Sequence, residues 1–180
     1  MIFTETKLRG AYVIEPQTLN DERGFFARTW SGEEFSAKGL NANLVQCNTS
    51  NNKLKGTVRG MHFQSPPHEE AKLIRCTAGA LYDVIVDLRP DSPTWGQWFG
   101  IELTRQNLRM IYVPEGFAHG YQTLADDTDV FYQVSAYYHQ ESASGVRWDD
   151  PTIAIDWPLQ ISVISERDRK LPSVDPQEKK

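Results

Sequence analysis

Gly56 to Lys72 reads GTVRGMHFQSPPHEEAK and runs straight into an apolar segment, LIRCTAGALYDVIVDL. The first eight of these residues after Gly56 have strand length, Pro66-Pro67 breaks the pattern, and a long β-branched run follows. A surface loop does not need this mixture of arginine, two histidines, two glutamates and a lysine, and a plain core strand would not tolerate it. Brought to one wall of a cavity, the His62 imidazole and the Lys72 ammonium are the parts needed to take a proton from carbon and hold the resulting negative charge. For either residue alone the plainer reading, a satisfied histidine and a solvated lysine at a strand end, is the default. For the stretch as a whole it is not.

Working outward, short strands follow one another from Leu44. LVQCNTS, TVRGMHFQ, KLIRCTA, ALYDVIVDL, QWFGIEL, RMIYVP, AHGYQTL and DVFYQVSAYY are separated by turn signals such as Asn51-Asn52, Ala78-Gly79 and Pro114 to Gly116. No interval reads as a crossover helix, so a parallel α/β sheet is excluded in favour of an all-β sandwich, jelly roll or barrel. Upstream, Ala11 to Glu15 is an expected first strand. LNDERGFFARTW follows with turn chemistry around Asn20 to Gly24; its paired phenylalanines either clasp a flat anionic ligand beside Arg23 or enter the core. Ser31 to Lys38 is a short helix, capped by Ser31, with Glu34 completing a capping box and Gly39 as the stop. Beyond Tyr138 the chain turns irregular, with one helical turn capped by Ser165 in ISERDRK.

The 180 residues form a single expected domain, with loose ends over 1–8 and 172–180. A net charge of -5 excludes a general electrostatic footprint for nucleic acid. No apolar run approaches the ~20 residues of a membrane helix, and no secretory signal pattern opens the chain. Cys47 and Cys76 lack CxxC spacing. A reduced, cytoplasmic protein is the simplest reading, with one disulfide as the alternative.

Two segments resemble a cupin jelly roll. PEGFAH, Pro114 to His119, has the spacing of a cupin's second motif. The first motif, two histidines at i and i+2 on one strand face, is broken here, because Gln64 stands two residues after His62. An amide is a poor transition-metal ligand, so the barrel is expected without the metal. RGMHFQ, the lysine of EEAKLIRC, YDVIVDLRPDSPTWGQW, PEGFAHG, the FYQ and AYY tyrosines and RWDDP together resemble the dTDP-4-dehydrorhamnose 3,5-epimerase family, in order, from Leu8 to Leu171.

That resemblance implies a metal-free, cofactor-free, cupin-like β jelly roll with short peripheral helices. It implies a homodimer acting on a nucleotide-linked 4-keto-6-deoxy sugar, with part of the pocket supplied by the partner through an exchanged N-terminal strand. It places the base at His62, its orienting carboxylate at Asp168 with Asp83 as fallback, the enolate-stabilising cation at Lys72 and the acid at Tyr132. It further matches Arg23 and Arg59 to the pyrophosphate, Phe25 and Tyr138 to base stacking, and Gln46, Asn48, His119 and Arg167 to other ligand contacts. The chemistry stands independently: a 4-keto group acidifies the C3 and C5 protons, and epimerisation needs a base and an acid on opposite faces but no redox cofactor. Arg59 and His62 are an odd number of residues apart, so both can face one site only through a bulge, which Gly60 makes inexpensive.

The chain departs from the family pattern at Arg28 and Ala143, where glutamates are common. Both positions match ligand-contacting sites, so a CDP- or other NDP-linked substrate is the alternative. Two other readings are a metal-dependent cupin using His62, His68, Glu70 and His119, and a binding module without turnover.

Overall fold

The computed structural model describes residues 1–175. Among the described residues, fourteen strands and two short helices follow one another. The strands expected from sequence are β5 (Gln46–Asn52), β6 (Thr57–Gln64), β7 (Lys72–Ala78), β8 (Ala80–Asp87), β9 (Trp98–Thr104), β10 (Met110–Val113), β11 (Phe117–Thr123) and β12 (Thr128–Val134). They are preceded by β1 (Ile2–Glu5), β2 (Tyr12–Glu15), β3 (Thr18–Asp21) and β4 (Gly24–Ala27), and followed by β13 (Ala143–Gly145) and β14 (Val163–Ile164). One sheet runs β1-β2-β10-β7-β12-β5 and the other β13-β6-β11-β8-β9, with β14 beside β6. From β5 to β8 successive strands pass back and forth between the sheets, and all neighbours on the two main paths are antiparallel. This is a β jelly roll.

Strand alternation sorts the side chains into three layers. Along β8, Leu81 and Ile85 point between the sheets, where they meet Ile74, Ile111, Phe117 and Val130. Val84 and Val86 point outward, onto Met61, Ile153 and Val174, so the irregular C-terminal segment covers the second sheet's outer face. The first sheet's outer face is covered by α1 (Gly32–Ala37), whose fully buried Phe35 packs on Ile14, Leu73 and Tyr112. Burying a ring of that size stabilises by about 1.5–3 kcal/mol.

Several local expectations change. The N-terminal residues expected to be loose form β1, which pairs with β2 of the same chain, and Leu8 is fully buried in the core. Apolar burial holds this end in place. At the other end Val174 is buried and its N–H donates to Asp150 Oδ2, so the loose end does not begin at Pro172; residues 176–180 lie outside the described residues. Ser31 caps α1 by accepting from the Glu34 N–H, but the Glu34 carboxylate reaches the Met1 amine (2.8 Å) and Arg28 (3.2 Å) rather than closing a capping box. LNDERGFFARTW is the β3–β4 hairpin, joined to neither main sheet, with Phe25 and Phe26 exposed. Strand β12 stops at Val134, so Tyr137 and Tyr138 lie in the irregular segment that follows. Cys47 and Cys76 are both free thiols.

Candidate active site

The polar end of the space between the sheets is a chamber of about 220 Å³, lined from one side by Arg59, His62, His119 and Tyr121 and from the other by Ser50, Lys72 and Tyr132. His62 and His119 sit opposite one another on β6 and β11. Lys72 and Tyr132 come from β7 and β12 of the facing sheet. Lys72 points inward for the same reason as Ile74 and Cys76, namely period-two alternation along β7.

Arg59 and His62 share the wall because β6 carries an extra residue. His62 pairs with His119 and Arg59 with Tyr121, so three steps on β6 oppose two on β11. Gly60 absorbs the difference at φ +130°, and a Cβ there would lie 2.6 Å from the Gly120 Cα. Met61 is thereby turned outward into the second core layer.

Two histidine–carboxylate pairs face the chamber. His62 Nε2 lies 2.8 Å from Asp168 Oδ1, and Asp168 Oδ2 accepts the Gly60 N–H at 3.3 Å. Asp168 is delivered by α2 (Glu166–Arg169), whose N-cap Ser165 accepts from the Asp168 N–H. Burial works against the Asp168 carboxylate, but the His62 pairing and the Gly60 N–H prevail and hold it below the ordinary range. His119 Nε2 lies 2.8 Å from Asp83 Oδ2. Asp83 is fully buried and its Oδ1 has no partner; desolvation pushes its pKa up despite His119 and Lys72 nearby. Asp83 thus belongs to His119 and not to His62.

Lys72 is buried, with Nζ 3.1 Å from Glu70 Oε1 and 3.3 Å from the His62 carbonyl. Its charge is therefore shared with Glu70. Tyr132 has its pKa raised, first by desolvation and then by the Glu70 charge, with Arg59 opposing. A phenol in that position stays protonated at neutral pH. Arg59 is held by Asn52, whose Oδ1 accepts from Nε at 2.8 Å, and Tyr121 shares a 2.7 Å hydrogen bond with Ser50.

An outer chamber of about 310 Å³ shares His62, Lys72 and Tyr132 with the inner one. Gln46, Asn48, Tyr138 and Arg167 line it, and Ala143 sits on its wall. Gln46, Asn48 and Ser50 occupy alternate positions of β5, so the period that selects the first two also selects Ser50, which sequence reasoning left out. Tyr121 was missed although it stands two residues after His119 on the same face. Glu70 and Asn52 stand close in sequence to the Lys72 and Arg59 they hold, but sequence reasoning took Glu70 for a candidate metal ligand and Asn52 for a turn residue.

Three expected ligand contacts are not at this cavity. Arg23 pairs with Asp21 at the hairpin tip and its side chain is 84% exposed. Phe25 lines a separate cleft with Phe26, Arg75 and Arg105. Arg28 turns to Glu34. All three belong to the β3–β4 hairpin or the residue that follows it, and none lines either chamber of its own chain. The donor set of a metal cupin is not assembled either. Among the described residues, the group of histidine, cysteine and carboxylate donors close enough to share an ion is His68, His139 and Glu141, without His62 or His119. His68 leaves the strand face beyond the prolines, as its spacing required.

Residues 5–175 match the family model described as dTDP-4-dehydrorhamnose 3,5-epimerase. The chain is 45% identical over 170 residues to the dTDP-4-dehydrorhamnose 3,5-epimerase of Methanothermobacter thermautotrophicus, covering 93% of this chain and 91% of that one. It superposes with a TM-score of 0.93 and 43% identity on the Bacillus anthracis enzyme of that name with TDP and pyrophosphate bound, over 96% and 99% of the two chains. A Legionella pneumophila epimerase in complex with dTDP-4-keto-L-rhamnose gives a TM-score of 0.91 at 37% identity, over 98% and 96%.

Proposed function

Because the chain belongs to the dTDP-4-dehydrorhamnose 3,5-epimerase family of isomerases, we propose that it inverts C3 and C5 of a dTDP-linked 4-keto-6-deoxy hexose through enolates, without a metal or redox cofactor. The observation that carries this reading is the opposition of His62 and Tyr132 across one chamber, with Asp168 fixed on His62. The neutral His62 imidazole takes the proton α to the carbonyl. The imidazolium so formed is stabilised by the Asp168 carboxylate, which its surroundings keep ionised. Negative charge moves to the 4-oxygen, where the Lys72 ammonium and the His119 ring, backed by Asp83, offset it from buried positions. Tyr132 delivers a proton from the facing sheet and is reprotonated by solvent, while the His62 imidazolium releases its proton to solvent, so that both groups are reset for the second carbon. Its raised pKa suits it to protonate an enolate rather than to sit ionised.

The nucleotide end occupies the outer chamber, with Arg167 on phosphate oxygens and Tyr138 against the base, and Arg59 reaches the phosphates from the wall of the inner chamber. Arg23, Phe25 and Arg28 reach the same ligand from the hairpin of a second copy. Support for this dimer is the hairpin itself: Leu19, Phe25 and Phe26 are 69, 57 and 68% exposed on a two-stranded unit paired with no other strand. Such apolar exposure calls for a covering surface. The working place of the enzyme is the cytoplasm. dTDP is preferred to CDP because the solved relatives hold thymidine nucleotides and Arg28 is already neutralised by Glu34.

Solvent deuterium incorporation tests the proposal. In D₂O the protein is expected to label C3 and C5 of dTDP-4-dehydro-6-deoxyglucose in the presence of chelator. Binding without label at either carbon would reduce the protein to a binding module.

A further inference from the structure

Away from the chamber, the turn after β6 and the turn after β12 bring His68, His139 and Glu141 together. One donor atom from each lies within 4.8 Å of the other two. The two imidazoles stack face to face, centroids 3.5 Å apart and 11° from parallel. His139 Nδ1 is 3.1 Å from Glu141 Oε1, and His68 Nδ1 is 2.9 Å from Ser142 Oγ. None of the three lines the inner or outer chamber, and the proposed reaction uses none of them.

Two neutral imidazoles and a carboxylate are the donor set of a zinc-class divalent ion, with a fourth position left to water. Tetrahedral bonds of ~2.0–2.1 Å require donors ~3.3 Å apart. The observed group therefore has to close by up to ~1.5 Å, and the exposed Glu141 side chain is free to swing. Binding has to open the stack, because parallel rings direct their in-plane lone pairs side by side, and each ring must turn by roughly 50° for the two to meet at one ion.

The backbone around the group is already set. The Ser65 N–H donates to the Ser142 carbonyl at 2.8 Å, and the His139 N–H to Gln64 Oε1 at 2.7 Å. Gln64 Nε2 in turn donates to the carbonyls of His68 and Tyr137, at 2.9 and 3.0 Å. The amide that breaks the cupin metal motif thus fastens the two turns that present the histidines. We propose that His68, His139 and Glu141 form a three-ligand site for a zinc-class divalent cation, completed by water, which clasps residues 137–142 onto residues 65–70. Tyr138 lies on the clasped segment and lines the outer chamber, so occupancy steadies that wall without entering the chemistry.

The test uses tag-free full-length protein stripped with chelator and titrated with Zn²⁺ alone by calorimetry, with the visible spectrum of added Co²⁺ reporting coordination. One ion per chain is expected. Since even outer-sphere changes cost ~10–100-fold in metal affinity, His68→Ala and His139→Ala should each weaken binding by ~100-fold or more. His62→Ala should bind as wild type does. Melting curves without metal check that each variant folds. Should either histidine variant fail to fold, Glu141→Gln, altered at an exposed side chain, makes the same comparison. Absence of saturable binding, binding that survives both histidine variants, or binding lost in His62→Ala overturns the proposal. The last outcome would place the ion in the barrel.

Discussion

Replacing Asp168 by asparagine keeps side-chain size and one acceptor but removes the charge that faces His62 across 2.8 Å. Two unit charges about 4 Å apart interact by about 4 kcal/mol at an effective dielectric of ~20. The His62 ring is 38% exposed, however, and water screens part of that attraction. The measured range for a hydrogen bond to a charged group, about 1.5–3 kcal/mol, is therefore the better guide. In the proposed reaction charge develops on the imidazole only as it takes the proton, so the loss should fall on the transition state and lower kcat by ~10–150-fold. The Gly60 N–H loses an ionised acceptor at the same time. A comparable loss of folding stability would lower Tm by ~3–12 °C. The depressed Asp168 pKa also has a pH signature. The stability it contributes is present above the unfolded value of ~3.9 and is lost as pH falls through the lower folded value. The acid limb of a Tm-against-pH curve should then be flatter in Asp168→Asn than in wild type. Position-resolved deuterium wash-in, run beside the melts, measures both effects. Wild-type exchange at C3 and C5 in a folded Asp168→Asn protein would refute the pairing as part of the reaction.

His62→Ala and Tyr132→Phe should differ in kind: loss of the base suppresses deuterium exchange by ~10²-fold or more, whereas loss of the acid leaves residual exchange but blocks inversion. Equal, complete exchange in both variants would exclude these roles. Gly60→Ala forces a Cβ to within 2.6 Å of the Gly120 Cα at a φ of +130°. A loss of at least ~2 kcal/mol is expected, seen as a Tm fall of at least ~4 °C together with reduced kcat; an unchanged Tm contradicts the bulge argument. For Arg28, titrating dTDP, CDP, UDP and GDP at one salt concentration should show dTDP preferred in wild type and in Arg28→Glu alike. A preference for CDP that Arg28→Glu reverses would move substrate recognition to this residue.

Local pattern sufficed for most of the sheet, because strand alternation and turn chemistry are short-range properties. The eight strands from β5 to β12 were all legible, with β12 read too long because Tyr137 and Tyr138 have strand-forming side chains in an irregular segment. The caps at Ser31 and Ser165 were legible for the same reason, since their bonds span only three residues. Parity alone demanded a bulge between Arg59 and His62, and the β6–β11 register contains it. Pairings across long sequence separations were beyond such reasoning. Glu34 was drawn from its capping box by an amine 33 residues away, and β1 was ordered by a strand neighbour and a buried Leu8 that no local propensity announces. The sequence resemblance proposed Asp168 for His62 and held Asp83 in reserve. Only the folded register put Asp83 on His119, because β8 and β11 are neighbours while β6 lies one strand further. Nor could spacing reveal that Lys72 shares its charge with Glu70, or that Arg23, Phe25 and Arg28 line neither chamber of their own chain. Side-chain alternation is written residue by residue, but which charge meets which is decided where the two sheets close on each other.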